Sequence, residues 1–155
     1  MNISVELIKK LRKKTGAGIA DCRRAIEEAK GDFKKAEELL KSWGIDKAAE
    51  KSDRAVGAGL IDTYIHAGGR VGAMVEVNCE TDFVDKTDEF KTLVREIAMQ
   101  VAAMNPKEVK ALLKQEYIRD SGKTIDQLVK EVIAKVGENV IVKRFIRFEL
   151  GNKSL

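Results

Sequence analysis

Cysteine and histidine are almost missing: two of one and one of the other in 155 residues. Cys22 and Cys79 stand far apart with no CxxC, and His66 has no cysteine cluster near it, so neither zinc spacing nor a disulfide framework is present. The expectation is two free thiols in a reducing cytosol (cytoplasm), with no metal and no other cofactor. No apolar run reaches the roughly 18 residues that a membrane-spanning helix requires. The first turn carries Glu6 where a secretory signal needs an apolar segment, so no export signal and no membrane partner are expected. Charge of one sign is also scarce. Lys and Arg total 29 against 25 Asp and Glu, and the excess sits in residues 1–52, with 13 basic and 9 acidic side chains. Phosphate binding through counterion release calls for a denser basic surface, so nucleic acid is not an expected partner. What is present is a chain 44% apolar and 35% charged, with both signs interspersed. That composition buries a core and argues against disorder, and the length suits one domain or a small one joined to a medium one.

The first segment reads as three short helices punctuated by glycine. Ser4 caps one with Leu7, Ile8 and Leu11 inward and Gly16 as its stop. Cys22, Ala25, Ile26 and Ala29 give the second its stripe, ended by Gly31. Asp32 caps a third with Phe33, Ala36, Leu39, Leu40 and Trp43 inward, ended by Gly44. Residues 45–56 have helical propensity but no apolar stripe and read as a solvated linker, helical or not. From Gly57 the period becomes two: Ile61, Thr63 and Ile65 alternate along one strand, Gly68-Gly69 makes a two-residue hairpin turn, and Val71, Ala73, Val75, Val77 and Cys79 line the return strand. A long helix follows with Phe90, Leu93, Val94, Ile97, Ala98 and Val101 inward. Pro106 opens the next at its first position, with Val109, Leu112, Leu113 and Tyr117 inward, and Thr124 caps a last one that ends at Gly137. A closing strand, Asn139 to Leu150, has its alternation (Val140, Val142, Ile146, Phe148, Leu150) interrupted at Arg144, where a bulge fits. The expected class is α+β: a three-helix bundle and linker over 1–52, then a core over 53–155 with a three-stranded antiparallel sheet packed against helices.

Few motifs suggest chemistry. Ser121-Gly122-Lys123-Thr124 imitates the end of a phosphate-binding loop, but Tyr117 stands where that loop needs glycine, so a helix-capping turn is the better reading and no nucleotide site is expected. His66 has no nucleophile arranged around it, and nothing proposes an enzyme of covalent chemistry. Six carboxylates (Glu76, Glu80, Asp82, Asp85, Asp88 and Glu89) fit no calcium loop; acids at a helix start are explained by the macrodipole. Within that stretch Thr81-Asp82-Phe83-Val84 occupies the corner where strand becomes helix. Thr81 or Asp82 can serve as a cap, while a second cap at Thr87 or Asp88 would restart the helix and leave Phe83 on a protruding turn. Phe83 is then either a buried staple or an exposed anchor flanked by acids, the form of an interface hot spot. The bundle, with its Gly-rich first turn and Gly31-Asp32 helix start, resembles a ubiquitin-associated (UBA-like) domain.

Two longer stretches resemble one family. Arg12-Lys13-Lys14-Thr15-Gly16-Ala17-Gly18, continuing through Asp21-Cys22 to Ala25, is similar to the opening of bacterial elongation factor Ts proteins. Val75-Glu76-Val77-Asn78-Cys79-Glu80-Thr81-Asp82-Phe83-Val84 is similar to their core signature, and Gly137-Glu138-Asn139 running into Arg144 to their C-terminal strand. The resemblance covers essentially the whole chain. It implies a guanine-nucleotide exchange factor for elongation factor Tu, the GTPase that delivers aminoacyl-tRNA. It implies that the bundle holds the partner's nucleotide-binding domain through Arg12, Ile19 and Ala20, a pair where other members often place Met. It also implies that the Thr81-Asp82-Phe83-Val84 corner dislodges magnesium, with Phe83 wedged between two partner helices and Asp82 steering polar groups. Long members carry two related core halves; this chain has room for one, and the short members it resembles pair as homodimers.

Read from the residues alone, two other functions stay open. One is an adaptor that binds protein tails through the bundle, and the other is a ribosome- or RNA-associated protein using the basic N-terminal segment.

Overall fold

A computed structural model describes residues 4–152. Helix α1 (Val5–Thr15) begins where the Ser4 hydroxyl accepts the Glu6 amide and ends at Gly16, whose φ of +71° is the left-handed conformation a helix stop requires. Helix α2 (Ile19–Glu28) and helix α3 (Phe33–Lys51) complete the bundle, with Asp32 capping α3 through the Lys35 amide. Leu11, Cys22, Ala25, Ile26, Ala36 and Leu40 form its interior. The Arg24 guanidinium lies 3.8 Å over the Trp43 ring and covers the seam from outside.

Gly44 does not end the third helix. Helix α3 runs through it to Lys51, so much of the expected linker is helical, and Ala48 is buried in the second core. The reason is packing: a Cβ at Gly44 would stand 3.4 Å from that of Ala134. A helical glycine here serves close approach of two helices, which offsets its intrinsic cost of about 1 kcal/mol.

The second core is built on a sheet of order β1-β2-β5, antiparallel throughout. Strands β1 (Ala58–Ile65) and β2 (Val71–Cys79) form a hairpin. Five residues, 66–70, connect the strands rather than two: His66 donates to the Val71 carbonyl, and Gly69 donates to that of His66. Gly68 and Gly69 both have positive φ inside this longer turn. Helix α4 (Asp88–Met104) crosses the inner face, placing Phe90, Leu93, Val94 and Ile97 against Val75, Val77 and Cys79.

Pro106 lies before helix α5 (Val109–Lys114) rather than at its first position; Glu108 is the cap. Tyr117 is in strand β3 (Glu116–Tyr117), which pairs with β4 (Asp120–Thr124). The Ser121-Gly122-Lys123 stretch is thus strand, not a capping turn. Buried Gln100 clamps the ribbon, donating to the Glu116 carbonyl and accepting from the Ile118 amide. Thr124 does cap helix α6 (Ile125–Val136), in a reciprocal capping box with Gln127, and Gly137 ends it.

Strand β5 (Val140–Glu149) bulges at Lys143: Glu76 faces Arg144, while the next residue, Val77, faces Val142. The extra residue reverses which side chains point inward. Val140 and Val142 are buried, but Ile146, Phe148 and Leu150 stand on the outer face rather than continuing the same stripe. Ile61, Ile65 and Met74 are exposed there too. No described helix is long and apolar enough to cross a membrane.

Candidate functional site

The corner between β2 and α4 carries the most exposed large apolar side chain among the described residues. Phe83 is 81% exposed, whereas the adjacent Val84 is buried in the core. The chain there makes one 3-10 turn, Val84–Lys86, and then restarts as α4. Thr87 produces the restart: its hydroxyl oxygen accepts the Phe90 amide at 3.3 Å and donates to the Val84 carbonyl at 2.7 Å. Two turns therefore meet at a fixed angle, and Phe83 lies on the outside of it.

The other side of the corner is held from far along the chain. Glu138 accepts two hydrogen bonds from Thr81, from the amide at 3.0 Å and the hydroxyl at 2.7 Å. Thr81 is therefore not a helix cap, and neither is Asp82, whose carboxylate meets Lys86 at 3.3 Å on the surface. Glu80 answers in the reverse direction, accepting the Asn139 amide at 2.7 Å and facing Arg54 at 3.6 Å. The Asn139 side-chain amide donates to the carbonyls of Ser52 and Arg54, where α3 leads into β1. The Cys79 thiol donates to the Thr81 carbonyl at 3.2 Å. Burial, with Asp85 and Glu138 adding to it, pushes that thiol up to about 11, so it stays a neutral donor.

The acids of this stretch have separate tasks. Asp88 and Glu89 occupy the first turn of α4 and Asp85 the 3-10 turn before it, whereas Glu76, Glu80 and Asp82 lie in no helix, so the macrodipole does not account for the whole group. Glu76 belongs to the sheet, where a hydrogen bond from Asn78 and the Arg144 guanidinium at 2.8 Å hold its carboxyl below the usual range. Among the described residues no group of three or more His, Cys, Asp or Glu could hold a metal ion.

Arg12, Ile19 and Ala20 are all exposed, Arg12 in the last turn of α1 and the pair at the start of α2. The tight Gly16-Ala17-Gly18 connection brings them to one end of the bundle. That end rests on α6: a Cβ at Gly16 would stand 2.8 Å from Cε of Lys135. Three residues later the same chain presents Glu138 to the corner. A cleft of about 570 Å³ opens beside this contact, and several of the charges along it pair with one another, Lys14 with Glu37, Lys47 with Asp21 and Lys123 with Glu131. Sequence reasoning missed the part played by Glu138 and Asn139. The signal was the Gly137-Glu138-Asn139 run after a helix, which names no partner until the fold brings Glu80 and Thr81 beside it.

The sequence profile described as Elongation factor TS matches residues 45–109 and 80–155. Elongation factor Ts of Thermoanaerobacter sp. (strain X514) is 43% identical over 96% of this chain and 95% of its own length. That of Coprothermobacter proteolyticus is 42% identical over 97% of this chain and all of its own. That of Nostoc sp. (strain PCC 7120) is 49% identical over 98% of this chain, which spans only 48% of that relative. The Thermoanaerobacter alignment runs over 194 positions, more than the 155 residues here, so that relative carries stretches with no counterpart in this chain. With its profile match and its relatives, this chain belongs to the elongation factor Ts family and so to the translation elongation factors.

Proposed function

We propose that the chain is a guanine-nucleotide exchange factor for elongation factor Tu, acting in the cytoplasm. Residues 1–52 are the docking unit, a UBA-like bundle that meets the partner's nucleotide-binding domain through Arg12, Ile19 and Ala20. Residues 53–155 are the exchange unit. Its corner inserts Phe83 between two helices of the partner, Asp82 steers polar groups beside the nucleotide, and Thr81 and Val84 hold the corner to the sheet; magnesium leaves and GDP follows. The factor itself binds neither nucleotide nor nucleic acid, and it makes and breaks no covalent bond.

One observation carries this reading: Phe83 stays 81% exposed while the backbone on both sides of it is bonded down. An aromatic side chain displayed on a rigid turn is prepared for burial in a partner at little ordering cost. Burying a Phe contributes about 1.5–3 kcal/mol, a coupling of roughly 10- to 100-fold at 1.4 kcal/mol per decade. By linkage, the factor weakens GDP binding by the factor that GDP weakens factor binding. The test is release of GDP from elongation factor Tu by catalytic amounts of this chain, which Phe83→Ala should slow at least about tenfold.

The active form we propose is a homodimer. On the outer sheet face Thr63, Met74 and Ile146 share one row, and Ile65, Gly72 and Phe148 the next. Ile65 lies across Gly72 on the middle strand, and Phe148 stands on the far side of the same row. A contiguous exposed apolar patch of this kind marks an association surface, and a second copy supplies a matching one by two-fold symmetry.

A further inference from the structure

Glu80-Thr81 and Glu138-Asn139 bond crosswise. The Glu138 carboxylate takes the amide and hydroxyl of Thr81, and the Glu80 carboxylate takes the Asn139 amide. These bonds join residues 57 and 59 apart in sequence. They are charge-assisted, which makes them stronger than neutral ones. Asn139 extends the clasp to the carbonyls of Ser52 and Arg54, where the bundle's last helix passes into the sheet. One cluster thus fixes the corner that displays Phe83, the end of α6 and the exit of α3. Helix α6 in turn supports the bundle at Ala134 and Lys135. The two candidate contact surfaces are therefore connected through bonded, ordered backbone.

We infer that Glu138 is a positioning residue for nucleotide exchange: it sets the orientation of the corner, and so of Phe83, relative to the docked bundle. The inference rests on the exchange reading above. Glu138 acts through Thr81 rather than by touching the partner. Geometry at a reacting site is costly to lose, with a displacement of about 1 Å able to cost on the order of 10²-fold. Removing Glu138 leaves the docking residues of the bundle in place but frees Thr81 on one side of the corner. Gln at 138 can restore both bonds, since its carbonyl oxygen accepts the Thr81 amide and its NH2 donates to the hydroxyl.

The test follows GDP release from elongation factor Tu as the concentration of the intact 155-residue factor is raised. Glu138→Ala is expected to lower the maximal rate about tenfold or more with little change in the half-saturating concentration. Glu138→Gln should restore most of the rate. In a Phe83→Ala background, adding Glu138→Ala should have no further effect, because the clasp works through that side chain. Should Glu138→Ala fail to fold, Thr81→Val, which removes only the hydroxyl bond, makes the same comparison. An unchanged maximal rate in a folded variant, or a loss of equal size with and without Phe83, overturns the inference. Wild-type factor that fails to accelerate release at all overturns the exchange reading instead, so the two failures are told apart.

Discussion

The Thr87 hydroxyl donates to the carbonyl of Val84 at 2.7 Å and, with the same oxygen, caps helix α4 through the Phe90 amide. One side chain closes the turn on which Phe83 stands and begins the helix behind it. Replacing a Thr cap by Ala costs about 0.5–2 kcal/mol. Thr87→Ala should therefore lower the urea midpoint with an unchanged slope and reduce exchange, while Thr87→Ser retains both. Stability equal to wild type would mean that the cap does not hold the corner.

The outer sheet face gives the second prediction. Phe148→Lys puts a charge into the patch that holds Ile65, Met74 and Ile146. Sedimentation should find a dimer for the wild type and a folded monomer for the variant. A wild type that remains monomeric at micromolar concentration would remove the dimer from the account.

The third prediction concerns alkaline pH. Folding raises the Cys79 thiol from 9.0 to about 11, first through burial and then through Asp85 and Glu138. The Tyr117 hydroxyl also rises, through burial and its bond to Glu96. In both cases the unfolded chain gives up its proton first, so stability is full below pH 9 and declines as pH climbs toward 11. Unfolding titrations should show that loss, and Cys79→Ser should reduce it. Cys79 in the folded protein should react with thiol reagents only as fast as the protein opens, because it is buried and protonated.

Much of this was readable from the chain, for identifiable reasons. Caps and stops that act locally, such as Ser4, Asp32, Thr87, Thr124, Gly16 and Gly137, are all found where the residue types point. The structure decides what the sequence left open at Phe83: it is exposed, because Thr87 restarts the helix just beyond it. What failed depends on distant contacts. Gly44 has the look of a stop but continues its helix because Ala134 lies close by. The bulge expected at Arg144 is found beside it, and what the broken alternation does not state is that it turns Ile146, Phe148 and Leu150 outward. A short ribbon replaces a turn because Gln100, on another helix, supplies its bonds. Thr81 has the chemistry of a cap, yet its bonds go to Glu138.

Gly16 offers a fourth prediction at the docking end. Its φ of +71° costs a side-chain-bearing residue about 1–2 kcal/mol, and the Lys135 stem must also shift aside. Gly16→Ala should lower stability by that order and raise the half-saturating concentration in exchange more than it lowers the maximal rate, because the turn carries Arg12, Ile19 and Ala20. A reduced maximal rate with unchanged half-saturation would place this turn in the exchange step rather than in docking.

The most direct measurement loads elongation factor Tu with fluorescent GDP and adds a tenth as much of this chain, wild type or Phe83→Ala. With Phe83 already exposed, the variant should unfold within about 0.5 kcal/mol of wild type, as surface substitutions do. Release should be accelerated over many turnovers by the wild type and be at least about tenfold slower with the variant, the lower end of what one buried Phe contributes. Equal acceleration by both proteins would contradict the role given to Phe83.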